Sequence, residues 1–256
     1  MQVLHAEWTK LRTVSTTIWL FFGTVALSVA VSAAVAATTH VSSAEQQDPT
    51  SISLTGIDLG QAVVAILAIL VISEEYGNGM IRVSLTATPR RLVLFAAKSI
   101  NVAVVVLVAG LVAVAGCLLV GRFILPGARL DAAHGYALIS LSHGSTLRAA
   151  VGSVVYLILI ALLSLGVATA VRDTAVSIGV VLGLLYLFPI LAQVVSNPTW
   201  HRHLEQISPM IAGLAIQRTT DLAGLPIRPW AGLGVVVVWA ALALLIGGVL
   251  LYVRDA

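Results

Sequence analysis

Charge is what this sequence most conspicuously lacks. Asp, Glu, Lys and Arg together make up 10% of its 256 residues, against roughly 25% in an ordinary soluble domain. With 59% of residues hydrophobic and a mean hydropathy of +1.03, the composition excludes a soluble domain and specifies an integral membrane protein. Cysteine is almost missing: Cys117 stands alone inside an apolar run, so neither an intrachain disulfide nor a cysteine metal cluster can form. No Gly-Lys pair occurs anywhere, so no G-x-x-x-x-G-K-[ST] loop exists to cradle nucleotide phosphates. H-E-x-x-H is absent too, which removes that metalloprotease signature. The formal net charge is only +3 and the basic residues are scattered, which argues against nucleic acid as a partner.

What is present is a series of charge-free windows at 18–37, 59–73, 99–121, 149–171, 174–201 and 229–253. They predict an all-α integral membrane protein, a single transmembrane domain over 1–256 with helices at 17–38, 55–73, 92–121, 148–171, 174–197 and 229–253. The first window follows Lys10 and Arg12 and ends near Ala34-Val35-Ala36, which mimics a signal peptide. It is longer than the roughly 7–15 residues of a signal h-region, and reads as a retained helix. The second window covers only about 22 Å at helical rise against a hydrocarbon core of roughly 30 Å. That helix is therefore expected to start upstream and to carry Asp58 near the bilayer surface.

Orientation follows from Lys and Arg near the span ends. Lys10 and Arg12 precede the first helix, the following loop holds Glu45 and Asp48 without a basic residue, and Arg82, Arg90 and Arg91 follow the second helix. Both termini are expected in the cytoplasm. Only Arg172 and Asp173 separate the fourth and fifth helices, which predicts a tight antiparallel pair. Between the fifth and sixth, residues 198–228 contain "ISPMIAGLAI", too short and interrupted to span, and are expected to re-enter or lie on the membrane from outside. Pro189, Pro198 and Pro209 predict breaks in helical geometry there. At the N-terminus, Leu4, Trp8, Leu11 and Ser15 share one helical face, with Glu7, Lys10 and Arg12 elsewhere. This predicts an amphipathic interfacial helix over 1–16 with Trp8 at headgroup depth.

The most polar stretch is "SEEYGNGMIRVSLTATPRR", between the second and third helices. Glu74 and Glu75 precede Gly77 and Gly79, and then Met80, Ile81, Val83, Leu85 and Ala87 supply apolar residues before Pro89. A cytoplasmic element with apolar residues to spare needs a protein to bury them in, so 74–91 reads as a docking site.

Other polar residues have plainer readings. Lys98, near a helix end, is expected to snorkel to the headgroups. Gln61 and Asn101 are expected to hydrogen-bond neighbouring helices. Gln193, one turn after Pro189, shares that default and is the first of the three to test as a pathway residue. Gly179 and Gly183 form a G-x-x-x-G that permits close helix approach. His201, His203 and Glu205 lack a convincing fourth ligand and read as solvated surface, so no metal site is expected.

The stretches "EWTKLRTVSTTIWL", "ISEEYGNGMIRVSLTATPRR", "LRAAVGSVVYLILIALLSLGVATAVRDTA", "ISPMIAGLAI", "RPWAGLGVVVVWA" and the terminal "VRDA" resemble, in order, actinobacterial permease subunits of type-2 ATP-binding-cassette (ABC) transporters. The resemblance implies a six-helix membrane half that works with a second permease copy, as a homodimer or a paralogous heterodimer. It implies an N-terminal interfacial helix, a coupling helix between helices two and three, and external re-entrant helices between five and six. The coupling residues would be Glu74, Glu75, Tyr76, Gly77, Gly79, Met80, Ile81, Arg82 and Leu85, resting on a separate ABC ATPase subunit. Glu7, Trp8, Lys10, Leu11 and Arg12 of the interfacial helix would brace that contact. Glu74 and Glu75 would either pair with basic residues of the ATPase or cap the coupling helix, where carboxylates are favoured.

The chain itself would bind no cofactor and would not be an enzyme; ATP and Mg would sit on the partner. Location in a bacterial plasma membrane among lipids, and export of an amphipathic small molecule, peptide or lipid, are the corresponding expectations. Three rivals stand beside this reading. An intramembrane enzyme is opposed by six histidines that all fall outside or at the edge of the windows. A secondary transporter is opposed by Asp and Glu residues confined to loops and helix ends. A non-transporting scaffold or immunity protein on the same fold is left open by sequence.

Overall fold

A computed structural model describes residues 15–39, 47–77, 91–128, 130, 139–195 and 197–253, and every regular element among them is helical. In chain order these are α1 (Ser15–Thr38), α2 (Pro49–Leu54), α3 (Ile57–Gly77), α4 (Arg91–Ile124), α5 (Gly144–Val171), α6 (Thr174–Val194), α7 (Pro198–Ile207), α8 (Pro209–Leu214) and α9 (Pro229–Val253). Short 3₁₀ turns follow α4 at Leu125–Ala128 and α8 at Ala215–Gln217. Six segments are long and apolar enough to cross a membrane: Thr16–Thr38, Pro49–Glu74, Leu92–Gly127, Gly144–Val171, Thr174–Val194 and Pro229–Val253. Residues 1–14, most of the expected interfacial helix, and 78–90, most of the expected coupling helix, lie outside the described residues.

The sequence writes its helix starts with one repeated device. Asp48-Pro49, Asn197-Pro198 and Ser208-Pro209 each place a capping side chain before a proline at the first helical turn. The cap accepts from backbone N–H groups that have no partner inside the helix, and proline gives up an N–H that would have been unpaired there anyway. Pro198 and Pro209 therefore start helices. Pro189 behaves differently from the expectation of a break: α6 runs through it to Val194. Neighbouring helices and local adjustment let a membrane helix tolerate an internal proline. The fifth span accordingly stops at Val194, short of the expected 197.

Asp48 also explains the second span. The helix does begin upstream, at Pro49, turns briefly at Thr55 and Gly56, and resumes at Ile57. Asp58 thus falls inside the membrane-crossing segment Pro49–Glu74 and, in keeping with the sequence argument that every acid sits in a loop or at a helix end, in the first turn of α3.

α5 is the central helix, packed against α9, α3, α4 and α6. Tyr156, Leu157, Ile160, Leu163 and Leu165 on it are fully buried. Gly166 lets α9 approach: a Cβ added there would fall 2.4 Å from the Ala243 carbonyl carbon, and one at Gly247 would fall 2.6 Å from the Gly166 carbonyl oxygen. Close backbone contact at small residues is how membrane helices gain packing energy without a hydrophobic driving force. The turn from α5 to α6 is as short as expected. Arg172 takes a left-handed conformation (φ 63°), its N–H bonds the Ala168 carbonyl, and Asp173 caps α6 by accepting from the Val176 N–H at 2.8 Å.

The outer faces of α1, α6 and α9 are apolar and exposed, with Trp19, Phe22, Leu187, Ile190, Leu245 and Val249 among them. Gly179 and Gly183 belong to this outer surface, with nothing within 4 Å of an added Cβ. Lys98 departs from the snorkelling expectation, because it is only 2% exposed and sits within the bundle.

Candidate functional site

Two polar constructions occupy one end of the bundle, the end bearing α2, α7, α8 and the start of α5. The first is centred on Asp48. Its carboxylate accepts from the Thr50 and Ser51 N–H groups of α2, and from the Thr219 N–H, Thr219 hydroxyl (2.7 Å) and Thr220 N–H (3.1 Å) of the segment after α8. One buried side chain therefore caps a helix and also fixes a chain segment 171 residues away. Charge-assisted bonds of this kind are about twice as strong as neutral ones.

Further contacts widen this clasp. Arg148 on α5 donates to the Arg218 carbonyl at 2.6 Å, Gln217 donates to the Ser153 hydroxyl at 3.2 Å, and the Thr50 and Thr146 hydroxyls meet at 3.5 Å. Trp239 on α9 donates to the Ile207 carbonyl, and Gln206 to the Pro226 carbonyl. The segment 198–228 is thereby bound to α2, α5 and α9. His201 uses both ring nitrogens, one against the Ala192 carbonyl at 2.7 Å and one near Glu205 at 3.3 Å. His203 is exposed on the same helix.

The second construction lies deeper, where α3, α5 and α6 meet. Asp58 and Gln61 are three residues apart and so share a face of α3. Tyr186 on α6 donates to the Asp58 backbone carbonyl at 2.6 Å, and the Gln61 side-chain amide donates to that same carbonyl at 2.9 Å. Tyr156 on α5 donates to the Gln61 side-chain oxygen, and the Gln61 amide reaches the Tyr186 hydroxyl at 3.5 Å. Three spans are stitched by one glutamine and two phenols. Interhelical hydrogen bonds in membranes contribute about 0.6 kcal/mol on average and up to about 1.7.

Of the three polar residues singled out in sequence, only Gln61 joins this centre. Asn101 is buried on α4, and Gln193 is exposed near the end of α6. Asp48, Tyr156, Tyr186 and Thr219 were missed. The Asp-Pro-Thr-Ser run marks Asp48 as a cap, but nothing local names Thr219 as its partner. Among the described residues, no three His, Cys, Asp or Glu side chains come together to hold a metal.

A sequence pattern described as an ABC-2 family transporter protein matches residues 3–195. The chain belongs to the ABC-2 transporter family. The match covers α1 to α6 and both Asp48 and the Asp58 centre, whereas the strand of chain that Asp48 captures lies beyond it. Comparison with curated proteins finds none that matches. Membership and the six apolar spans make this ABC-2 protein a multi-pass membrane transport component, of a family that implies association with an ATPase subunit.

Proposed function

We propose that this ABC-2 permease is the membrane half of an exporter for an amphipathic small molecule, peptide or lipid, driven by a separate ATPase subunit that carries ATP and Mg. The observation that carries the reading is the family match over residues 3–195 on a bundle of six spans. In this reading both termini and the α5–α6 turn lie in the cytoplasm and the Asp48 clasp outside, in a bacterial plasma membrane; Lys10, Arg12, Arg82, Arg90 and Arg91 support that orientation.

In this reading residues 74–91 rest on the ATPase, with Glu74, Glu75, Tyr76, Gly77, Gly79, Met80, Ile81, Arg82 and Leu85 in the contact. Residues 1–16 lie in the interface and brace it. The apolar outer face of α6, with Gly179 and Gly183, is where a second permease copy would pack. Residues 198–228 form the external, membrane-re-entering gate. ATP draws two ATPase subunits together, and each coupling segment moves with them. Because α3 runs from that segment to the clasp, displacement at Glu74 is delivered as rigid-body motion to Gln61, Asp58 and the region of Asp48. The pathway residues in this scheme are Gln61, Asn101 and Gln193.

The test is recovery of partners from native membrane in mild detergent. An ABC ATPase is expected to accompany the tagged chain and to be lost when residues 80–87 become a polar linker. The double variant Glu74→Ala, Glu75→Ala is expected to insert normally while substrate-stimulated ATPase activity falls. An intact chain that brings down no ATPase although one is expressed would refute the reading.

A further inference from the structure

Asp58 is the one carboxylate, among the described residues, that lies inside a membrane-crossing segment rather than at its edge, in the first turn of α3 just after the break at Thr55 and Gly56. About 24 Å of helix rise separates it from Glu74 at the other end of that span. An ionisable group at such a position is costly unless paired, and normally marks a functional site. The surrounding groups leave the carboxylate unengaged. Tyr186 and Gln61 donate to the backbone carbonyl of Asp58, and Tyr156 donates to Gln61, so the donors nearest the acid are committed elsewhere. No ion pair or hydrogen bond to the carboxylate arises from a described residue, although it lies within electrostatic range of both phenols.

The acid is half-buried rather than sealed. Beside it Leu59 is 44% exposed, and beside Tyr186 Leu187 is 52% exposed. Exposed apolar side chains on α3 and α6 thus neighbour the acid and the tyrosine that is bonded to its backbone carbonyl. That arrangement matches a molecule with one positive head and an apolar body.

We propose that Asp58, flanked by Tyr186 and Tyr156, is a cation subsite that takes the ammonium-like head of an amphipathic cargo, with Leu59 and Leu187 against its apolar part. The cargo role rests on the exporter reading above; the recognition of a cation does not. The same chemistry would accept the ammonium of a phospholipid headgroup, and the two sources are separable.

The full-length chain in phosphatidylglycerol nanodiscs is titrated with tetraphenylphosphonium and, separately, with tetraphenylborate, an anion of the same shape, each corrected by empty nanodiscs. Saturable binding of the cation is expected. Asp58→Asn should weaken it roughly tenfold, Asp58→Glu should retain it, and the anion should be unaffected by either change. A purely structural role for Asp58 would not discriminate between ions of opposite sign. Cation binding no stronger than in empty nanodiscs overturns the proposal without recourse to any variant, as does equal binding by wild type and Asp58→Asn. With phosphatidylethanolamine in the nanodisc, reduced cation affinity assigns the subsite to lipid headgroups and unchanged affinity to free cargo. Cation selectivity in a chain that recovers no ATPase would leave the subsite standing and the exporter reading refuted; an ATPase partner without cation selectivity would do the reverse.

Discussion

The two halves of the bundle differ in how far their polar side chains reach, although both bring backbones together at glycine. In the half around the α5–α6 turn, Ser164 and Thr169 donate back to their own helix at Ile160 and Leu165, each at 2.7 Å, and Ser99 donates to Phe95. Helices there meet through glycine and backbone, at Gly166, Ala243 and Gly247. In the clasp half, hydroxyls and amides reach across the chain, from Thr219 to Asp48, Gln217 to Ser153 and Tyr156 to Gln61. The difference follows from backbone regularity. A continuous helix satisfies its own polar groups and needs only shape, whereas short helices and turns leave groups that need side-chain partners.

The contrast can be broken at either half. Gly166→Val is expected to have the largest effect, because its side chain would occupy the Ala243 backbone, which cannot yield as a side-chain end would. Overpacking of this kind costs about 1–3 kcal/mol and sometimes more, so a large fall in thermal midpoint or failure to recover folded protein in detergent is expected. Asp48→Ala comes next. It strips the partner from buried donors in two segments, with a cost of about 2–3 kcal/mol, and hydrogen exchange should accelerate at 49–54 and 217–221 while the α5–α9 seam stays protected. If exchange rose equally at both halves, the clasp would not be a separable unit. Tyr186→Phe is the mildest, removing one hydroxyl and costing about 0.6–1.7 kcal/mol, read as a small drop in midpoint with the bundle intact.

How much of this was legible in the sequence divides along the same line. Charge-free windows located all six spans, the two-residue turn at Arg172 and Asp173 followed from their spacing, and the second helix's upstream start followed from its short window. Each of these is a local property. The clasp was not legible, because Asp48 and Thr219 are brought together only by the folded path of the chain. Gln61 was visible as a polar residue in a span, but its partners, Tyr156 and Tyr186, look in sequence like ordinary aromatic residues of apolar helices. Pro189 does not end α6, because membrane helices tolerate an internal proline that a helix in water does not. The G-x-x-x-G at Gly179 and Gly183 brings no helix of this chain close, since a Cβ added at either would meet nothing within 4 Å.

The turn at Arg172 and Asp173 fixes more than connectivity. Two residues leave little slack, so the foot of α6 is held beside the end of α5. α6 has 21 residues, a length of about 31 Å at helical rise. A tilt of roughly 10° about that turn would carry the far end about 5 Å, the width of one helical turn. Tyr186 lies well up α6, and its bond to Asp58 ties the helix to α3. Any tilt of α6 about that short turn would therefore be small at Arg172 and largest at the end that meets α7 and α8.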